Sequence, residues 1–483
     1  MNRRLLGIAA LTTATLLPTL GAVGVTGTPS RHATTHDAVA VATENPNGIG
    51  DPYYPADGNP GYNVRRYHVR LDYFPQPESI RATTWVHAIA TTRLPSFHLD
   101  LKGLHVDSVA VDDRAATWRR TGQHELVVTP ARPVHKLAGF VTEVAYHGKL
   151  GYVIDGGAPS GWIPVGKEGS GVLEGEPHGC AVWYPCNDHP IDKARWSLAA
   201  TLPRPLDLVS VGEQGPTTSG TRHGVAVRTF RWRLGERTAT YMTGMYIGKL
   251  TFERSTLRDG TPVVSAYGPN PGEAPERESQ LPEILRVLAR RWGPYPAPQA
   301  GGMFVSGFIP YELETFTRPI YSRSTGLLTI VHENGHQWWG DNVSIKRWRD
   351  ICLNECLASY SEWLWDEHNG VDLDHRYRIR VARIGDSLFS GKLYDMGANH
   401  EFDTPVYVKG KYFVHALRNK IGDASFFRAM RGIQRDLAGG HISMIGLRNQ
   451  LERRTGVDLR SFWREWVLHT GRPSDANLFP GDL

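Results

Sequence analysis

The hydrophobic pattern of this 483-residue chain changes its period once, and that change limits the folds open to it. From about 51 to 253, apolar residues alternate with polar ones. Tyr67, Val69, Leu71 and Tyr73 fall on one side, as do Phe97, Leu99 and Leu101, then Val109 and Val111; Val225, Val227, Phe230 and Trp232 continue the habit. Turn signals such as DGNPG, LKGL and RPLD separate the runs. After about 254 the spacing becomes helical: Leu281, Ile284, Leu285 and Leu288 share a face in ERESQLPEILRVLARRWGPYP, which stops at Gly293-Pro294. The pattern predicts an α+β chain, with an N-terminal antiparallel β-sandwich domain over 51–253 and a mainly helical domain over 254–483.

Ahead of both, MNRRLLGIAALTTATLLPTLGAVGV runs from basic to apolar to small residues. That order predicts a signal peptide over 1–28, a polar linker over 29–50, and a secreted protein. The net charge of +5 comes with no basic block, which argues against nucleic acid as a partner. No later stretch is apolar enough to span, so no stable membrane insertion is expected after signal cleavage. Cys180, Cys186, Cys352 and Cys356 allow three pairings, which the sequence leaves open beside buried free thiols.

The run HENGH occupies 332–336. On a helix His332 and His336 project from one face a turn apart, where two imidazoles can share a cation. Glu333 is rotated by about 100° from His332, which sets it beside the ion, as a base acting on metal-bound water requires. Zinc needs a third protein ligand, and Glu355 supplies it beyond an eighteen-residue gap. One Zn²⁺ is expected, with one position left for water. Asn334 and Gly335 lower helix propensity, glycine by about 1 kcal/mol against alanine. They read as substitutions tolerated on the face away from the metal, their cost offset by tertiary packing and the metal.

HENGHQWWGD, the gap and WRDICLNECLASYSEW together resemble the aminopeptidase N family of zinc metallopeptidases, gluzincins of the pattern HExxHxWxG followed by WxDxWLNEGxA. GEPHGCAVWYPCNDHPIDKARW is similar to the family's EPxxA…FPCxDxP segment, VYVKGKYFVHALR to its YxKG helix, and GVDLRSFWREWVLHTGRP to the end of its catalytic domain. The likeness covers roughly 50 to 475. It implies a thermolysin-like zinc catalytic domain and an aminopeptidase acting on peptides with a free N-terminus. Larger relatives carry a third, helical domain over the site; the 128 residues after Glu355 leave no room for one, which implies a short two-domain form with a more open cleft.

The resemblance also implies roles. Glu333 takes the proton of the attacking water and passes it to the leaving amine. Tyr407 hydrogen-bonds the oxyanion. Carboxylates hold the substrate's α-ammonium. The family uses a Glu in a GxMEN strand, but here Gly302-Met303 is followed by Phe304; YELET is expected to replace the strand, with Glu314 as the amine ligand and Glu312 as the alternative. Glu176 matches the position of a second amine contact. Asn354, Asp350 and Trp348 are expected to support the ligand helix, and Cys356 stands where the family has glycine. An endopeptidase on the same scaffold remains a rival, though it has no use for an amine anchor. A binding protein that retains zinc without catalysis is a third reading, which the full set His332, Glu333, His336, Glu355 and Tyr407 argues against.

Overall fold

Six strands carry the first half of the chain: β1 (Tyr62–Phe74), β2 (Ser79–Ala90), β3 (Gly139–Lys149), β4 (Gly171–Glu174), β5 (Ala194–Pro203) and β6 (Val225–Thr238). They come from a computed structural model that describes residues 48–155 and 158–483. The expected signal peptide lies outside the described residues, as does the expected linker up to residue 47. Strands β6, β5, β1, β2 and β3 run side by side in a nine-stranded sheet. Along β1, Tyr67, Val69, Leu71 and Tyr73 are buried while Arg66 and Arg70 are exposed, as a period of two on a half-covered sheet requires.

A three-stranded sheet and a five-stranded sheet containing β4 cover that inner face. Ring contacts fix the packing: Tyr62 lies 5.9 Å from Phe97, Tyr67 lies 5.4 Å from Tyr184, and Tyr73 lies 5.6 Å from Trp162. Two features depart from the sequence reading. β1 and β5 run parallel, with Tyr67 opposite Trp196 and Leu71 opposite Ala200, so the large sheet is mixed. The chain between them builds several other strands, so no hairpin dictates their direction. Val225 is 50% exposed, because the odd positions at the start of β6 face away from Phe230 and Trp232.

In the second half, α1 (Leu281–Trp292) buries Leu281, Ile284, Leu285 and Leu288 and ends at Gly293, whose φ is 116°. Within the mainly helical half lies a four-stranded sheet of Thr251–Thr256, Pro262–Tyr267, β7 (Met303–Val305) and Ile320–Ser322, which the sequence pattern does not announce. Runs of three to six residues are too short to display a period. β7 is the strand just ahead of the YELET segment. The strand forms with Phe304 in it, stacked between Tyr267 at 5.0 Å and Tyr321 at 4.8 Å. The YELET segment follows as a loop, pinned by a bridge from Leu313 to Ile320. Three helices then matter for function: α2 (Leu327–His336), α3 (Cys352–His368) and α4 (Thr404–Ile421).

Candidate metal centre

Helix α2 is buried from Ile330 to His336, so its polar residues must find partners inside the protein. Asn334 Nδ2 donates to Tyr321 Oη at 3.1 Å and to Ile330 O at 2.8 Å. A Cβ on Gly335 would stand 2.7 Å from Ser361 Oγ and 3.2 Å from Ala358 Cα on α3. Packing of this kind offsets their low helix propensity: Asn334 ties α2 to the neighbouring sheet, and Gly335 is where α2 meets α3.

That contact brings Glu355, in the first turn of α3, against the two histidines. His332 Nε2 lies 3.1 Å from His336 Nε2 and 3.2 Å from Glu355 Oε2; His336 Nε2 lies 3.5 Å from the same oxygen. A tetrahedral ion with bonds of roughly 2.0–2.1 Å holds its ligands about 3.3 Å apart. The three atoms fit Zn²⁺ in both spacing and donor type. Burial would raise the Glu355 carboxyl, but His336 and His332 outweigh it and hold it down to about 2.

Each imidazole is oriented through its other nitrogen. His332 Nδ1 donates to Glu362 Oε1 at 3.0 Å, and Glu362 Oε2 accepts from Lys411 Nζ at 3.0 Å. His336 Nδ1 donates to Trp339 O at 3.1 Å. Both bonds turn the Nε2 lone pairs toward the common point. The residues expected to support the ligand helix bond to the chain around it: Asn354 Nδ2 meets Tyr241 Oη, Asp350 Oδ1 accepts from Met444 N, and the Trp348 amide donates to Asp51. They brace the chain around α3 without touching an imidazole. Glu362 was missed, although its spacing of seven from Glu355 puts both on one face of α3.

The cysteines pair as Cys180–Cys186 and Cys352–Cys356, and neither thiol pair is free. The second cystine brackets Glu355. A Cβ on Gly410 would lie 2.7 Å from Cys356 Sγ, so α4 rests on that sulfur. One turn before Gly410, α4 carries Tyr407, whose ring centroid is 6.1 Å from that of His332. Burial and the surrounding carboxylates keep its phenol protonated, well above the usual range.

These groups share a cavity of about 360 Å³. Glu333 lines it, and burial pushes its carboxyl up to about 8 against the pull of His332 and His336. Glu314 also lines it; one oxygen each of Glu314 and Glu333 and a nitrogen of His336 lie within 4.8 Å of one another. Tyr241 Oη donates to Glu314 Oε1 at 3.3 Å. Glu312 is on the wall too, where its Oε1 accepts from the Ser322 and Thr325 hydroxyls. Glu176 enters from the β-rich half, just past β4, and its buried Oε1 has no hydrogen-bond partner. The structure thus brings together His332, Glu333, His336, Glu355, Tyr407, Glu314 and Glu176, drawn from both halves of the chain.

Comparison with known proteins bears on this arrangement. Residues 299–466 match the peptidase family M1 domain. The chain is similar to aminopeptidase M1-B of Oryza sativa subsp. japonica, 24% identical over 60% of this chain and 36% of the relative, and to aminopeptidase N of Lactococcus lactis subsp. lactis, 24% identical over 60% and 38%. It therefore spans little more than a third of those relatives' length. A crystal structure of a mutant M1 zinc metallopeptidase from Deinococcus radiodurans, bound to a Tyr-Ser-Ala substrate, superposes with a TM-score of 0.81. The two are 26% identical, and the match covers 88% of this chain and 99% of that one.

Proposed function

This chain belongs to peptidase family M1, which works with a single catalytic Zn²⁺, and from that premise we propose that it is an aminopeptidase that removes the N-terminal residue of peptides. The observation that carries the reading is the pair Glu314 and Glu176. Two carboxylates beside the ligand set are what a protonated α-amine requires, and an endopeptidase has no need of them. His332, His336 and Glu355 would hold the ion, which supplies Lewis acidity for polarising a carbonyl and acidifying water.

The chain's own groups do the rest. Glu314 and Glu176 fix the ammonium, which places the first peptide bond against the histidines. Glu333 stands beside the ligands, where it takes a proton from the attacking water and returns it to the leaving amine. The Tyr407 hydroxyl, protonated throughout the working range, donates to the oxygen on which negative charge develops. Glu362 and the Trp339 carbonyl keep the imidazoles in the tautomer that leaves Nε2 free to bind a cation.

The N-terminal run of basic, apolar and small residues and the two cystines support export. No helix among the described residues is long and apolar enough to cross a membrane. Fractionation of cells producing the chain with and without residues 1–28 tests export, and equal retention of both forms would contradict it. Activity is tested with aminoacyl amides, a chelator and their N-acetylated counterparts. Cleavage should need zinc and a free amine; undiminished cleavage of the acetylated series would favour the endopeptidase.

A further inference from the structure

The strand His105–Val111 pairs antiparallel with β3 on the side away from β2, and its register sets His105 directly opposite His147. Residues opposite one another in such a pair project from one face. Here it is the outer face: both imidazoles are exposed, while the next pair, Val106 and Tyr146, is buried. The two ring centroids lie 4.9 Å apart. Beyond Val106 the pairing skips Asp107 and resumes at Ser108, a bulge of one residue. Asp107 shares the outer face with His105, two residues before it, and its carboxylate approaches both rings. Its Oδ1 lies 2.8 Å from His147 Nδ1 and 3.9 Å from His105 Nε2, and its Oδ2 lies 3.0 Å from His147 Nδ1.

None of these three residues lines the cavity of the catalytic zinc or has a task in the reaction proposed above. A hydrogen bond between His147 and Asp107 accounts for two of them as an ordinary surface pair, but it has no use for His105. Two imidazoles and a carboxylate are a donor set for a transition metal. Neighbouring ligand atoms of a tetrahedral ion stand about 3.3 Å apart. The two distances from Asp107 Oδ1 fall on either side of that value, and all three donor atoms lie within 4.8 Å of one another. Arg81 stands opposite His147 on β2, so the cluster holds no excess of negative charge. That counts against Ca²⁺ and Mg²⁺, which need several oxygen ligands, and in favour of an ion that bonds to imidazole nitrogen.

We propose that His105, Asp107 and His147 form a second metal site, on the outer face of the large sheet, for Zn²⁺ or a cation of the same class such as Ni²⁺. The ion takes His147 Nδ1, His105 Nε2 and one Asp107 oxygen as ligands, and any proton these atoms carry is released to solvent. The position left over faces outward, where water completes the coordination.

The test uses the zinc-loaded protein, with its catalytic site filled and excess metal removed, titrated in a calorimeter with Zn²⁺, Ni²⁺ and Ca²⁺. One further equivalent of Zn²⁺ should bind, Ni²⁺ should compete for it, and Ca²⁺ should not. His105→Ala and His147→Ala should each weaken that event by at least about tenfold. The catalytic zinc, counted by elemental analysis before the titration, should stay at one per chain in both. The replaced side chains stand outside the core, whose Val106, Val109 and Tyr146 are untouched, and circular dichroism checks the fold. Failure of the wild type to take up a second equivalent would overturn the site. A second equivalent held equally well by both histidine variants would overturn it too, because the ion would then lie elsewhere. Competition from Ca²⁺ as strong as that from Ni²⁺ would overturn the choice of ion.

Discussion

Replacing Glu362 by alanine takes away the acceptor that orients His332, and the size of the effect can be worked out. A hydrogen bond to a charged group is worth about 1.5–3 kcal/mol, and partners behind a ligating histidine typically carry about 10–100-fold in metal affinity. The ranges agree, since a decade is about 1.4 kcal/mol. Two observations place Glu362 toward the lower end. Its side chain is 17% exposed, so water can replace part of the lost bond, and it is shared with Lys411 at 3.0 Å. Zinc affinity should therefore fall by about 10–30-fold in Glu362→Ala. Glu362→Gln keeps an acceptor oxygen and should lose only about threefold. The assay is competition between metal-free protein and a chromophoric chelator, with circular dichroism as the control for folding. An affinity in Glu362→Ala within about twofold of wild type would refute the idea that this carboxylate supports the metal.

Other changes have distinct signatures. Tyr407→Phe should lower kcat by about 10²–10³ with little change in KM, as removal of an oxyanion donor does; stopped assays at saturating substrate would show it, and a change confined to KM would remove the tyrosine from that role. Glu333→Gln should still bind zinc in the chelator competition while losing about 10²–10⁴ in kcat. The double replacement of Cys352 and Cys356 by serine opens a loop with a sequence separation of 4, and should lower unfolding stability in urea by about 2 kcal/mol. Glu278, buried with Ser265 and Tyr267 as donors, has its pKa raised from 4.5 to about 7. The folded state then binds the extra proton, so this group's contribution is greatest at low pH and is lost as pH rises through that window. At pH 8 the loss amounts to roughly 3 kcal/mol. The difference in urea midpoint between wild type and Glu278→Gln should change with pH between those two values and be flat above.

The candidate ligands were legible because one helix turn fixes the distance between His332 and His336, and a local motif surrounds Glu355. Tyr407 and Glu176 were singled out through the likeness of VYVKG and GEPHG to the family's motifs. What was hidden has physical reasons. Glu362 looks like any carboxylate on a helix until its partner His332, thirty residues away, is packed against it. β7 is three residues long and stacks Phe304 between two tyrosines from other strands, a contact no local period encodes. The parallel pairing of β1 and β5 is likewise set by the sheet as a whole.

Gly335 and Gly410 have a consequence for anyone wishing to stabilise this protein. Helix propensity alone would nominate both for replacement by alanine, a change worth about 1 kcal/mol at an open site. Here each marks a point where α3 is approached by backbone, from α2 on one side and from α4 on the other. A single methyl at either place would wedge the helices apart and separate the residues they carry, His332 and His336 from Glu355, or Tyr407 from all three. Thermal screening that rewards propensity would select against the very spacing on which the cavity depends, and those two letters are better left out of any such library.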